Sequence, residues 1–254
     1  MKVEHDTSDS DVRSSLGDIV LRVQQMSAEN EELVKQLANG EFRFRRLAKA
    51  VWRVQEEERR NIALELHDGI GQVLTALINQ LQHATYQETT GAGSDSVELA
   101  KSALSEVRRM SRALRPSVLD DLGLVAALKW LGRTTGESSG LEVMLEVTEE
   151  ELNLDPQTET LVFRIVQEAL TNIIKHAGAT RSRVVLGTNN GALQVAISDN
   201  GKGFDASGVL GVAENGFGVR GMRDRAELFG GKLDVKSAPN EGTLVTLTLP
   251  ETSE

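Results

Sequence analysis

From Leu16 to Val54 the chain repeats an apolar residue every three and then four positions: Leu16, Ile19, Val23, Met26, Leu33, Leu37, Phe44, Leu47, Val51 and Val54. A seven-residue repeat sustained this long requires a second helix beside the first, because one helix cannot bury its own stripe. Only Gly40 is weak in the series. Asn30 occupies an a position, where a buried Asn commonly fixes a parallel dimer in register; a tolerated polar residue is the plainer alternative. The phase is lost across Glu56 to Asn61 and resumes, shifted, at Ala63, Leu66, Ile70, Val73, Leu77 and Ala84. Such a break alters supercoiling locally and marks a junction at which a signal could act.

His67 follows Leu66 directly, so it lies at the rim of the second stripe and within reach of solvent. Asp68 is next to it and Gln72 five residues on. By periodicity alone, a histidine beside an apolar face is more often structural than chemical. Residues 87–96, QETTGAGSDS, read as a turn. Val97, Ala100, Leu104, Val107 and Leu114 then line a second amphipathic helix that stops at Arg115-Pro116. Each stripe of this hairpin is too wide for one partner, and pairing two hairpins into a four-helix bundle would bury both. Residues 122–131 read as a short helix, and 134–140 as a loop and domain boundary.

The C-terminal part changes period. Residues 141–148, 183–187, 193–199, 232–237 and 243–249 alternate like strands, and helices are expected over 156–177 and 219–229. Strands segregated from helices indicate an α+β sandwich. Within it, Asp199-Asn200-Gly201-Lys202-Gly203 closes a strand with a carboxylate and two glycines. Gly216-Phe217-Gly218-Val219-Arg220-Gly221-Met222 opens a helix, a setting in which backbone N–H groups can cradle phosphate. Gly242-Thr243 begins the last strand, and Asn172 offers an oxygen suited to Mg²⁺. Each glycine segment alone reads as a turn. The Gly-x-Gly-x-x-Gly run lacks the strand and βαβ unit of a dinucleotide fold, and no Walker A loop is present.

Composition excludes whole classes. There are 28 Lys+Arg against 38 Asp+Glu, a net charge of -10, which speaks against nucleic acid as a direct partner. With no cysteines, disulfides, thiolate catalysis, Cys-ligated zinc and iron–sulfur clusters drop out. No apolar run approaches the roughly 18 residues of a membrane span. The N-terminus is acidic and unlike a signal peptide, so the cytoplasm is the expected location.

QEALTNIIKHAGA, SDNGKGF, GFGVRGMRDRAELFGG and EGT, in this order, resemble the asparagine and glycine boxes of the GHKL (Bergerat-fold) ATP-binding domain. ERRNIALELHDGIGQ and LRPSVLDDLGL resemble the dimerisation and phosphoacceptor region of bacterial sensor histidine kinases of the NarX and DesK type. The resemblance spans residues 56–250. It implies a coiled coil over residues 1–55, a dimeric histidine-phosphotransfer hairpin over 56–133 and an ATP-binding domain over 134–254. It further implies that His67 takes the γ-phosphoryl group of ATP, that Asp68 orients the imidazole, and that Glu168 assists. Asn172 would hold Mg²⁺, while Lys175 and His176 would contact phosphate. Asp199 would accept from the adenine amine, Gly201 and Gly203 would let the backbone approach the base, and Thr243 would close the pocket. Gly216, Gly218, Gly221 and Met222 would shape the lid. Gln72 matches the family's HDxxxQ pattern, in which glutamine positions water against a phospho-aspartate.

The implied partners are a second copy of the chain, a response-regulator receiver domain and a separate sensor protein. An anti-sigma-type serine kinase shares the ATP fold but lacks a His-bearing hairpin, so the ELHDGIGQ context counts against it. A silent nucleotide-binding scaffold is disfavoured by the intact boxes.

Overall fold

The computed structural model describes residues 7–87, 93–148, 152–189, 191–205 and 217–250. The chain divides between Ala50 and Val51 into two compact units. The first lies wholly on helix α1 (Thr7–Leu64). Met26, Leu37, Phe44 and Leu47 of the heptad stripe are exposed in a single chain, as are Val34 and Phe42 beside it. Intrahelical pairs such as Arg45 to Glu41 at 2.6 Å add the modest support of an i,i+4 contact.

In the second unit α1 continues as a helix through residues 56–61, where the heptad phase breaks. Burial explains the shift. Trp52, Glu56 and Ala63 turn inward at helical spacing, with Arg59 half-buried between them. Trp52 joins the main core and meets Phe229 edge to face, with ring centroids 5.2 Å apart. A six-residue π-helical turn follows (Glu65–Ile70), then α2 (Gly71–Gln87) and α3 (Gly93–Leu114). Helix α3 thus begins inside the expected turn; residues 88–92 lie outside the described residues. Ile78 packs against Ala100 and Leu104, flanked by Leu74 and Leu81. Ile70, Val73 and Leu77 of the stripe are exposed in the single chain, the part that one hairpin partner leaves uncovered.

Helix α4 (Ser117–Ser139) replaces both the short helix over 122–131 and the loop over 134–140. It kinks at Gly123, whose φ of 75° is left-handed, and Leu124 N–H reaches Glu159 Oε1 at 3.4 Å. The TTGESS run looks like a loop, yet Thr134, Ser138 and Ser139 donate their hydroxyls back to helix carbonyls. The boundary expected at residue 134 therefore falls inside a helix.

The sheet has strands β1 (Glu142–Val147), β2 (Arg181–Asn189), β3 (Ala192–Asp199), β4 (Lys232–Ser237) and β5 (Thr243–Leu249), in the order β1-β2-β3-β5-β4. Only β1–β2 is parallel; the remaining pairs are antiparallel. Helix α5 (Pro156–Asn172) is capped by Asp155, whose carboxylate accepts from Gln157 N–H and Thr158 N–H, with Pro at the first helical position. It ends in a second π turn, Ile173–Ala177, and α6 follows (Phe217–Leu228). Leu161, Ile165 and Leu170 of α5 pack with Val195, Ile197 and Leu247 of the sheet, giving the expected α+β sandwich.

Candidate functional site

A cavity of about 380 Å³ opens where the end of α5, the start of α6 and the middle strands converge. Ile173, Ile197, Met222 and Val245 give it apolar walls suited to a flat ring. Asn172, His176, Asp199 and Thr243 line it with polar groups, and Lys202 adds a cation. The strand end that carries Asp199 is held rigidly. Asn200 Oδ1 accepts from Thr180 N–H and Arg181 N–H at 3.0 and 2.9 Å, and its amide donates to Thr180 Oγ1. Asp199 Oδ1 accepts from Gly201 N–H at 2.7 Å, which leaves its second oxygen available to a ligand donor. Ser237 accepts from Phe204 N–H and donates to the Gly242 carbonyl. A hydroxyl has one proton, so the 3.1 Å contact between Ser237 and Thr243 is donated by Thr243.

Gly201, Gly203 and Gly242 are required by space, because a Cβ at each would run into a backbone carbonyl oxygen, that of Ala177, Ala238 and Asp199 respectively. Gly203 also has a left-handed φ of +57°. A Cβ at Gly218 would lie 2.6 Å from Glu168 Oε1 and 3.2 Å from Asn172 Nδ2, so the first turn of α6 abuts both side chains and a larger residue there would displace the Glu168 carboxylate. Among the described residues no group of three His, Asp or Glu is placed to hold a metal ion. A cation here would need Asn172 together with a ligand's own phosphates, which is how Mg²⁺ is commonly bound.

The second constellation lies on the Glu65–Ile70 turn, where no residue is buried. His67, Asp68 and Gln72 are all exposed, and no hydrogen bond joins His67 to Asp68. Gly71 N–H bonds to the Leu66 carbonyl, an i→i−5 link, and Gln72 follows at the start of α2, just over one helical turn beyond His67. Such π turns inside α-helices recur at functional sites. His67 also borders a groove of about 210 Å³ with Arg60, Arg108, Arg112, Arg115 and Asp120.

Below this turn, Glu56 and Arg164 form a buried ion pair, with side-chain exposures of 6% and 7%. Arg164 donates to Glu56 Oε2 from Nε at 2.9 Å and Nη2 at 2.7 Å, to Gln167 Oε1 at 2.8 Å, and to the Leu114 carbonyl at 2.6 Å. Burial pulls the Arg164 pKa down and the Glu56 carboxylate opposes that pull. Arg225 is lowered by burial as well, against the attraction of Glu168.

Residues 157–253 match the family described as histidine kinase-, DNA gyrase B- and HSP90-like ATPase, and residues 58–119 match one described as histidine kinase. The chain belongs to the histidine kinase family. It is 36% identical over 222 residues to the sensor histidine kinase MctS of Rhizobium johnstonii, covering 84% of this chain and 48% of that protein. It is 36% identical over 207 residues to the signal transduction histidine-protein kinase/phosphatase DegS of Brevibacillus brevis, covering 79% of this chain and 53% of that protein. The chain thus spans about half the length of these relatives. Among solved structures, the histidine kinase domain of the Erythrobacter litoralis EL346 blue-light activated kinase aligns with a TM-score of 0.45 and 19% identity, covering 78% of this chain and 94% of that one.

The ATP-binding kinase fold brings Asn172, His176, Asp199, Gly203, Gly218, Met222 and Thr243 onto one cavity, as the motifs imply. Lys175 is exposed on the neighbouring π turn and Gly221 faces Arg225; neither lines the cavity. Gly201 is buried behind Asp199, and Glu168 stands beside Gly218. Gly216 lies outside the described residues. The motifs left Lys202 and the apolar walls unassigned, although Lys202 sits within the quoted SDNGKGF segment.

Proposed function

We infer that the chain is the transmitter core of a two-component system: it binds ATP in the sandwich cavity, phosphorylates itself on His67 and passes the phosphoryl group to an aspartate of a response-regulator receiver domain. The observation that carries this reading is an exposed histidine on a π turn, in the same chain as a cavity whose polar groups suit adenine and phosphate. Asp199, with one oxygen tied to Gly201 and one available, accepts from the adenine amine while the apolar walls hold the ring. Bound ATP supplies the γ-phosphoryl group, and Mg²⁺ held by Asn172 and the phosphates would offset their charge. His67, solvent-facing, attacks through a ring nitrogen. Asp68 takes up the developing charge once the helix pair closes on the nucleotide, and Glu168, beside the glycine turn of α6, assists.

Ile70, Val73 and Leu77 support a homodimer, because a second hairpin laid on them completes a four-helix bundle. Exposed heptad residues of α1 extend the same pairing as a coiled coil. The position of Gln72, just over one helical turn from His67, supports a phosphatase activity toward the phospho-regulator, as does the kinase/phosphatase name of DegS. No helix of the described residues is long and apolar enough to cross a membrane. We place the chain in the cytoplasm, with input from a separate sensor protein.

Incubation with γ-labelled ATP and Mg²⁺ tests the reading. Wild type takes up acid-labile, base-stable label, and His67→Gln takes up none while binding ATP and dimerising normally. Acid-labile label persisting in the variant sinks the assignment of His67.

A further inference from the structure

The groove beside His67 is positive within a chain of net charge -10. Four arginines and one aspartate line it. Asp120 is fully engaged, with Oδ2 3.1 Å from Arg60 Nε and Oδ1 2.9 Å from Arg115 Nη2. Arg115 also reaches Thr160 Oγ1 at 3.4 Å. Arg112 donates its Nε to the Arg108 carbonyl, which leaves the other guanidinium N–H groups without an anion. Arg108 pairs with no carboxylate among the described residues. Its neighbours away from the groove behave differently: Arg109 is matched to Glu106 on the same helix, and Arg59 to Glu56. Arg108 and Arg112 thus stand in the groove with no carboxylate opposite them among the described residues, against a wall that includes the half-buried Trp130.

We propose that this groove is a phosphoryl-binding site, in which Arg108 and Arg112 take the phosphate carried by His67. The proposal rests on the reading of His67 as phosphoacceptor. In that step the bond from the γ-phosphorus to the bridging oxygen breaks, a nitrogen–phosphorus bond forms on the imidazole, ADP departs and the ring proton passes to Asp68 or water. The product places a dianionic group beside two guanidinium groups that lack anions, whose planar forks suit phosphate oxygens. The arginines thereby stabilise the phosphorylated form against return of the group to ADP. Arg60 and Arg115, already shared by Asp120, keep the groove's far wall in place.

The test is the equilibrium constant for ATP plus kinase against ADP plus phospho-kinase, measured from label in the full chain with Mg²⁺ at several fixed ADP:ATP ratios. This constant does not depend on how tightly nucleotide binds or how fast transfer occurs. Arg108→Gln should lower it about tenfold, the scale of one charge-assisted hydrogen bond. Arg108→Lys should retain part of the loss, and the double variant with Arg112→Gln should fall further. Raising ionic strength should lower the wild-type constant more steeply than that of the double variant. Both arginines are exposed, and the unpaired Arg108 tests the idea alone if the double variant is poorly folded. Equal constants in wild type and variants overturn the site, as does an equal drop in Arg109→Gln, which lies outside the groove. Wild type that takes no acid-labile label at all overturns the reading of His67 instead.

Discussion

The nucleotide cavity and the histidine turn solve opposite problems with one chain. Around the cavity the strand ends are tied by hydrogen bonds: Asp199 by Gly201 N–H, its strand end through the Asn200 side chain, Thr243 by the Ser237 hydroxyl. Around His67 almost nothing is held. The turn has no buried residue, and the flanking stripe of Ile70, Val73 and Leu77 lies open, with Val73 68% exposed. Under the proposed function, a small ligand is captured by enclosure that exists beforehand, whereas a phosphoryl carrier must meet a donor and then an acceptor, each a separate body. The core of the sandwich is covered within one chain, whereas the hairpin leaves Ile70, Val73 and Leu77 uncovered.

Three substitutions probe this contrast. The largest effect is expected where the two regions join. Arg164→Met leaves Glu56 buried without its partner and should lower unfolding stability by about 3–5 kcal/mol, read by urea denaturation. Pairing it with Glu56→Met should recover much of that loss; if the double variant is no more stable than the single, the ion pair is not what couples the regions. Asp199→Asn should affect the cavity alone. It puts a donor where the adenine amine needs an acceptor and should weaken ATP binding by about 1–3 kcal/mol in calorimetry, with the thermal transition unchanged. Unaltered affinity would mean that the base does not face Asp199. Gln72→Ala should affect the turn alone, and least. Autophosphorylation should stay near wild type, while dephosphorylation of a purified phospho-regulator in Mg²⁺ and ADP slows about tenfold, the scale of one placed catalytic group. Equal rates would reduce Gln72 to a surface residue.

The sequence makes periodic features readable and leaves long-range ones silent. The glycine segments, Asn172 and Asp199 carry their pattern in local order, so seven of the residues named from the motifs line the cavity, while Lys175, Gly201 and Gly221 stand off it and Lys202 and the apolar walls went unnamed. The strands announced themselves through alternation. The π turn could not be anticipated, because ELHDGI has no composition that separates it from an α-helix. Nor could the run TTGESS be told from a loop, since its hydroxyls are satisfied by carbonyls of the helix they interrupt. The Glu56–Arg164 pair joins residues 108 apart, and periodicity has no access to such a distance. Its trace in the sequence was the lost heptad phase at residues 56–61, where α1 exchanges one buried face for another.

That pair also governs how the fold opens. The guanidinium of Arg164 reaches a carboxylate of α1, an amide of α5 and the last carbonyl of α3. Fraying of the α3 end, or lifting of α1 near Glu56, strands a charge away from water. Small openings there are suppressed, and the amides of these three segments exchange with solvent chiefly through a single larger event that releases them together. In hydrogen exchange they would share one protection factor, set by the stability of the sandwich rather than by their own helical propensity.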